Sequence, residues 1–256
     1  MEHGPAVELS VILPAYNEGE AVAHAIERYA ACLPGFCESF EIIVVNDGST
    51  DDTGTIAARA AADRPYVRVL SNPRNLGQVA SMLRGFAESR GRVLTHNGVD
   101  LPFAPEDTGK LLECLRQGAD VVVAQRIHRR AYGVTRKVIS WCNILLVKAM
   151  FRSPFTDHNF VQAYRREVLD AITVESAGVS TVTTELILKA LRQGFHVRSL
   201  PADYQERRTG RSTVTLAKIA RTMKELLKLW GIMRRPMPSL AGASRPRPRS
   251  NFQVSR

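Results

Sequence analysis

The stretch Glu41-Ile-Ile-Val-Val45 places β-branched apolar residues at four consecutive positions, which a strand with one solvated face does not do. Such a run is satisfied by burial on both faces, as in a parallel sheet covered by helices on each side. Leu9-Ser-Val-Ile-Leu13 reads similarly, and shorter runs follow at Val67–Leu70, Arg92–Thr95 and Asp120–Ala124. Between them lie segments of helical period at Glu20–Leu33, Gln78–Ser89 and Pro105–Arg116, with an alanine-rich helix that Asp51 or Asp52 can cap. This alternation predicts an α/β fold on a mostly parallel sheet, and 256 residues with 45% hydrophobic content suffice for one main domain.

The second half is less regular. An apolar helix is expected around Lys137–Met150, a strand near Phe160–Tyr164, a helix at Thr183–Arg192, a strand at His196–Leu200 and a basic loop at Glu206–Thr213. Leu216, Ile219, Ala220, Met223, Leu226, Leu227 and Trp230 then recur at helical spacing, with Lys218, Arg221, Lys224 and Lys228 largely elsewhere on the wheel. Residues 207–256 hold 13 Lys/Arg against the single acid Glu225, so the net charge of +10 belongs to this C-terminal fifth. Pro, Ser and Arg dominate residues 236–256, which are read as a disordered basic tail. No CxxC pair joins Cys32, Cys37, Cys114 or Cys142, no apolar signal segment opens the chain, and the most apolar stretch, Val138–Phe151, is short for a membrane span. These features predict reduced thiols, a cytoplasmic protein without a transmembrane helix, and no nucleic-acid module.

In an open parallel sheet, ligands bind beyond the carboxyl ends of the strands, where the strand order reverses. Three expected strand ends carry acids and amides: Pro14-Ala-Tyr-Asn-Glu18, Asn46-Asp-Gly-Ser-Thr-Asp-Asp52 and Asn97-Gly-Val-Asp100. A carboxylate beside a nucleobase accepts its N–H groups, whereas one beside a diphosphate acts only through a cation. Taken singly, such acids more often bond to loop amides, and Glu18 alone reads as a helix N-terminal acid. Their coincidence at three tips favours a site. The histidines show no metal-ligand spacing.

Ser10-Val-Ile-Leu-Pro-Ala-Tyr-Asn-Glu18 followed by Val45-Asn-Asp-Gly-Ser-Thr-Asp-Asp52 resembles family 2 glycosyltransferases of the polyprenyl-phosphate, dolichyl-phosphate mannose synthase-like type. The resemblance extends over residues 8–213, through Arg74-Asn-Leu-Gly77, Ala124-Gln-Arg126 and Arg165-Arg-Glu-Val-Leu169. It implies a GT-A fold in residues 1–213, followed by an amphipathic basic helix at 214–235 and the tail. It implies a nucleotide-sugar donor with Pro14, Tyr16, Glu18 and Asp47 around the nucleoside. The family's Asp-x-Asp-x-Gln motif aligns with Gly98, Val99, Asp100, Leu101 and Pro102, so only Asp100 is left to meet a Mg²⁺ or Mn²⁺ ion and the donor diphosphate. His96 or Asn97 could supplement it, or Arg126, Arg207 and Arg211 could neutralise the leaving group. Arg207-Arg-Thr-Gly-Arg-Ser-Thr213 resembles the segment that closes over the donor, which adds Ser212, while Thr213 stands where lysine is usual. Asp157 and Gln162 lie in a segment resembling the acceptor side, and Arg136 is a candidate for an acceptor phosphate.

The chemistry so implied is inverting transfer of a sugar from a UDP- or GDP-linked donor to a lipid phosphate, with Asp100, Arg126 and Asp157 as catalytic candidates. A hydroxyl acceptor would instead use a base such as Asp157 or Glu185. A nucleotide-sugar-binding protein without turnover is the third reading. Leu216–Met233 is expected either to pack on the domain or to make a peripheral contact with the cytosolic face of a membrane.

Overall fold

The computed structural model describes residues 7–127, 144–205 and 216–236, with the backbone alone considered at 179–180 and 216–219. Seven strands form one sheet, β1 (Leu9–Ala15), β2 (Phe40–Asn46), β3 (Val67–Ser71), β4 (Val93–His96), β5 (Val121–Arg126), β6 (Gln162–Arg165) and β7 (Val197–Ala202), in the order β3-β2-β1-β4-β6-β5-β7. The helices are α1 (Gly19–Cys32), α2 (Thr53–Ala61), α3 (Gln78–Glu88), α4 (Thr108–Arg116), α5 (helical residues 144–151), α6 (Arg166–Ala171), α7 (Val179–Arg192) and α8 (Leu216–Met233).

Both faces of the central strands are covered, as the continuous apolar runs require. Val11 and Leu13 of β1 and Ile42 and Val44 of β2 join Val22, Ile26 and Leu112 of α1 and α4 on one face. Ile12, Ile43 and Val45 join Leu83 and Phe86 of α3 and Leu186 and Ile187 of α7 on the other. The parallel register pairs Ala15 with Asn46 and Ile12 with His96, so β1, β2 and β4 end side by side.

Three features depart from the sequence reading. The strand expected near residues 160–164 is β6, and it runs antiparallel to both β4 and β5; apolar content alone does not reveal strand direction. Helix α7 starts at Val179, four residues before the expected Thr183, because Gly178 supplies an extended N-cap and buried Val182 outweighs the weak helix preference of the Val/Thr-rich turn. Pro105–Asp107 is a 3₁₀ turn before α4 rather than its first turn. Arg136, Arg207, Arg211 and Ser212, and the tail from residue 237, lie outside the described residues. Among the described residues no helix is long and apolar enough to cross a membrane, and Cys32, Cys37 and Cys114 are free thiols.

Candidate functional site

The chain leaves β1 for β2 and β3 on one side and crosses to β4 on the other, which makes the β1/β4 boundary the switch point. Pro14 and Ala15 close β1, and Tyr16 beyond them is 43% exposed. Asn17 then takes a left-handed conformation (φ 52°), which asparagine tolerates better than most residues. In that pose its N–H donates to Ser49 Oγ (3.1 Å) and its Oδ1 accepts from Thr50 N–H (2.9 Å). The Glu18 N–H donates to Thr53 Oγ1 at 2.8 Å. The first two motifs are thereby stitched into one wall. Neither Asp51 nor Asp52 forms an N-cap side-chain bond of the ordinary kind, but Asp51 Oδ1 accepts from Thr53 N–H at the start of α2 (3.0 Å).

The second wall is the turn after β4, closed by Leu101 N–H on Gly98 O at 2.9 Å. Val99 and Leu101 are buried in the core beside Phe103, which leaves Asp100 partly exposed between two apolar anchors. Leu101 has φ 49°, a conformation that costs a non-glycine residue roughly 1–2 kcal/mol and concentrates at functional sites. The two walls flank a cleft of about 760 Å³ whose lining includes Asn17, Glu18, Asp51, Asp52, Val99 and Asp100. Arg28 also faces it, held by Glu106 at 2.7 Å.

Asp47, 2% exposed, is turned away from this lining. Its carboxylate accepts from Asn72 Nδ2 (2.7 Å), Leu76 N–H (2.9 Å) and Gly77 N–H (2.8 Å). Burial pushes its pKa up, and these hydrogen bonds outweigh burial and hold it below the usual carboxylate value. The next residue has to be glycine: Gly48 sits at φ 66°, and a Cβ there would lie 2.4 Å from the Arg74 carbonyl carbon. Loop 72–77 therefore rests directly on the tip of β2.

Arg126, at the end of β5, forms a two-pronged ion pair with Asp157, the Nη2–Oδ1 arm measuring 2.9 Å, and its guanidinium lies over the rings of Phe160 and Tyr204 at 5.1 and 5.6 Å. The adjacent Gln125 fixes the partner segment. Its Oε1 accepts from Thr156 N–H (2.9 Å) and Asp157 N–H (3.0 Å), and its Nε2 donates to Asp157 O (3.0 Å). The structure thus pairs Arg126 with Asp157 and places Glu18, Val99 and Asp100 together in the lining of the cleft.

The supplementary candidates are committed elsewhere. Asn97 donates to Tyr29 Oη (2.9 Å) and Phe103 O (2.8 Å), and it accepts from Gly98 N–H (3.0 Å). His96 meets Gln162 Oε1 at 3.3 Å, and buried Gln162 also receives Tyr164 Oη (3.0 Å) and donates to His158 O (2.7 Å). Glu185 is fully buried, ion-paired to Lys189 at 2.6 Å and bonded to the N–H groups of Glu175 and Ser176, which makes it a structural anchor rather than a base. Asn17, Asn72 and Gln125 are the polar residues that sequence reading did not single out for these roles; the signal was that each stands at or next to a strand tip.

Two histidines near this site are poor proton acceptors. Burial pushes the pKa of His96 down to about 4, opposed by its bond to Gln162. Burial likewise takes His158 to about 4, with Asp157 opposing and Lys148 assisting. As pH falls from about 6.5, the unfolded chain takes up protons on these residues that the fold accepts only near the lower value, so stability declines across that window. Each histidine contributes a slope of up to about 1.4 kcal/mol per pH unit. Urea unfolding from about pH 7 to about pH 4.5 should show a shallower decline for His158→Gln than for the parent chain; equal slopes would refute this assignment.

Among the described residues no group of three or more His, Cys, Asp or Glu is arranged to hold a metal ion. Asp100 is the one acid left in the turn after β4, and a Cβ on Gly98 would come 2.2 Å from its Oδ1. An ion fits here only as a guest shared with a donor's phosphate oxygens, since Mg²⁺ is commonly held by one or two carboxylates plus substrate phosphates.

A mixed, mostly parallel seven-stranded sheet with a cleft at its switch point is the arrangement of a GT-A fold. Solved structures agree. The chain superposes on glucosyl-3-phosphoglycerate synthase from Mycobacterium tuberculosis, in complex with Mn²⁺, UDP and phosphoglyceric acid, with a TM-score of 0.67 and 19% identity over 88% of this chain and 79% of that one. A mannosyltransferase from Pyrobaculum calidifontis, in complex with GDP-mannose and Mn²⁺, gives a TM-score of 0.65 and 17% identity over 91% of this chain and 65% of that one. The family described as glycosyl transferase family 2 matches residues 10–173, and the chain belongs to that family. Among relatives, an undecaprenyl-phosphate 4-deoxy-4-formamido-L-arabinose transferase of Pseudomonas syringae pv. syringae is 31% identical over 89% of this chain. The enzyme of that name from Photorhabdus laumondii subsp. laumondii is 28% identical over 86%. The chain spans 66% and 67% of the length of these two relatives.

Proposed function

We propose that this chain transfers a glycosyl unit, with inversion, from a nucleoside diphosphate sugar to a polyprenyl phosphate at a membrane surface. The observation that carries the donor half is the cleft at the tips of β1, β2 and β4, where Glu18 and Asp100 face a volume of about 760 Å³. On this reading Pro14, Tyr16 and Glu18 surround the nucleoside, and Asp47 shapes that end through loop 72–77. Asp100 is the residue that would hold a divalent ion against the diphosphate, and such an ion would offset charge on the leaving group. Arg207, Arg211 and Ser212 would close over the donor.

An acceptor phosphate oxygen attacks the anomeric carbon, the bond from that carbon to the diphosphate oxygen breaks, and the nucleoside diphosphate leaves with the electron pair. A phosphate monoester is largely ionised at neutral pH, so this attack needs no strong general base. The pairing of Asp157 with Arg126 favours that acceptor over a hydroxyl, because both oxygens of the carboxylate that a hydroxyl would need as its base are taken by the guanidinium. The two relatives named for undecaprenyl-phosphate transfer support the same acceptor class.

The membrane half rests on α8. Leu226 and Leu229 are buried, whereas Met223, Leu227 and Trp230 form an exposed stripe (39%, 56% and 39%). Arg221, Lys224 and Lys228 are exposed on the same helix. Basic residues at an anionic surface contribute about 1 kcal/mol each, which suits peripheral binding to the cytosolic leaflet. The assay is nucleoside diphosphate release from UDP- and GDP-sugars by the purified chain, with and without Mn²⁺, on vesicles containing undecaprenyl phosphate. Release that requires the lipid, with a glycolipid of matching mass, is expected. Release insensitive to the lipid would refute the acceptor, and donor binding without release under every condition would refute catalysis.

A further inference from the structure

A second cavity, of about 330 Å³, lies between α5, α7 and α8, and its lining does not overlap that of the donor cleft. Its walls are apolar, from Met150, Phe151, Leu188, Leu191, Trp230 and Met233. Its rim is not: Arg152, Arg192 and Arg234 also line it, and no acid is among its described lining residues. Arg234 lies over the Trp230 ring at 4.4 Å, and Arg192 donates to the carbonyls of Met233 and Arg235, tying the end of α8 to α7. Arg152 stands at φ 50° just past α5, where its N–H caps Lys148 O at 2.8 Å and its side chain is exposed.

An apolar slot with a rim of guanidinium groups matches an amphiphile with a hydrocarbon chain and an anionic phosphate head. Trp230 belongs both to the slot and to the exposed stripe of α8, so the slot opens along the face assigned above to the membrane. We propose that this groove binds one anionic phospholipid of the bilayer, with its phosphodiester against Arg152 and Arg234 and the start of one acyl chain beside Trp230 and Leu188. The inference rests on the reading of α8 as the membrane-facing helix and adds to it a discrete, saturable lipid site. Such a site would fix the tilt of the domain on the bilayer, where a diffuse basic surface leaves it free.

The test separates one lipid from a surface. In a Trp141→Phe background Trp230 is the sole tryptophan, and its emission is followed while dihexanoyl phosphatidylglycerol is added below its micellar concentration. A saturable blue shift at one lipid per chain is expected, absent with dihexanoyl phosphatidylcholine. Arg152→Gln with Arg234→Gln should weaken it more than tenfold, and Lys224→Gln with Lys228→Gln, on the same helix but outside the groove lining, should leave it within about twofold. Unchanged melting temperatures check that both double variants fold. Arg192 is spared because it holds α8 in place. If the chain sediments with phosphatidylglycerol vesicles but shows no saturable response to the monomer, or both double variants weaken it equally, the groove assignment is overturned and the membrane reading of α8 stands. If the chain ignores the vesicles as well, both are overturned.

Discussion

Asp100→Asn is expected to lower kcat/KM for sugar transfer by about 10²–10⁴-fold while changing stability by less than about 0.5 kcal/mol. The two halves of that expectation come from one turn. Val99 and Leu101 are buried and Leu101 N–H closes on Gly98 O, so the loop is anchored by apolar side chains and its own backbone. Asp100, between these two anchors, lines the cleft. With glycine at 98, it is the one acid this turn offers to a cation shared with a diphosphate. Asparagine keeps the size and removes the charge, so a Mn²⁺ titration in the presence of UDP should lose most of its binding, whereas Mn²⁺ alone should bind weakly to both proteins. Gly98→Asp would supply a second acid only by displacing the Asp100 carboxylate, whose Oδ1 lies 2.2 Å from the Cβ position. Transfer by Asp100→Asn within about threefold of the parent would mean that the diphosphate charge is met by arginines instead.

Much of this was legible in the residues because burial on both faces and burial on one face leave different patterns. The apolar runs of β1 and β2 identify central parallel strands, and the acids and amides after them mark the tips where the cleft lies. Strand direction in the second half was not legible, since antiparallel β6 presents Gln162 and Arg165 around a short apolar pair that fits either direction. Polar orientation was the other blind spot. Asp47, Asn97 and Glu185 look like site residues by type, but Asp47 faces loop 72–77, Asn97 joins Tyr29 to Phe103, and Glu185 neutralises Lys189. Asp47 meets Leu76 and Asn97 meets Tyr29, partners far away in sequence that only the closed fold brings near, whereas Glu185 meets Lys189 one helical turn on. Asn17 shows the converse, an unremarkable amide that unites two motifs because β1 and β2 end in register.

The Asp47 geometry carries the largest stability effect. Asp47→Ala leaves the Asn72 amide and the N–H groups of Leu76 and Gly77 without their acceptor, and unsatisfied buried donors cost about 1–3 kcal/mol each. Water reaching Leu76 and Gly77, which sit near the surface, lowers that sum, so a net loss of about 2–4 kcal/mol is expected. For a chain of this size each kcal/mol moves the melting temperature by about 2–4 °C, which predicts a fall of roughly 5–15 °C. The carboxylate also belongs to a chain of contacts, since Asn72 bonds onward to Ser81 (2.9 Å) and receives Arg84 (2.6 Å). Asn72→Ala should therefore be less than additive with Asp47→Ala, with a coupling of about 0.5–3 kcal/mol. Because the folded pKa of Asp47 lies below that of the unfolded chain, its contribution is complete above about pH 4 and fades as pH drops through the depressed value. A carboxylate serving only to touch a nucleoside would behave differently: its removal would raise the donor KM and leave the unliganded protein as stable as before. Hydrogen exchange at Leu76 and Gly77 separates the two, because an anchored loop loses amide protection in Asp47→Ala without nucleotide present. Parent-like protection and an unchanged melting temperature would assign Asp47 to the donor alone.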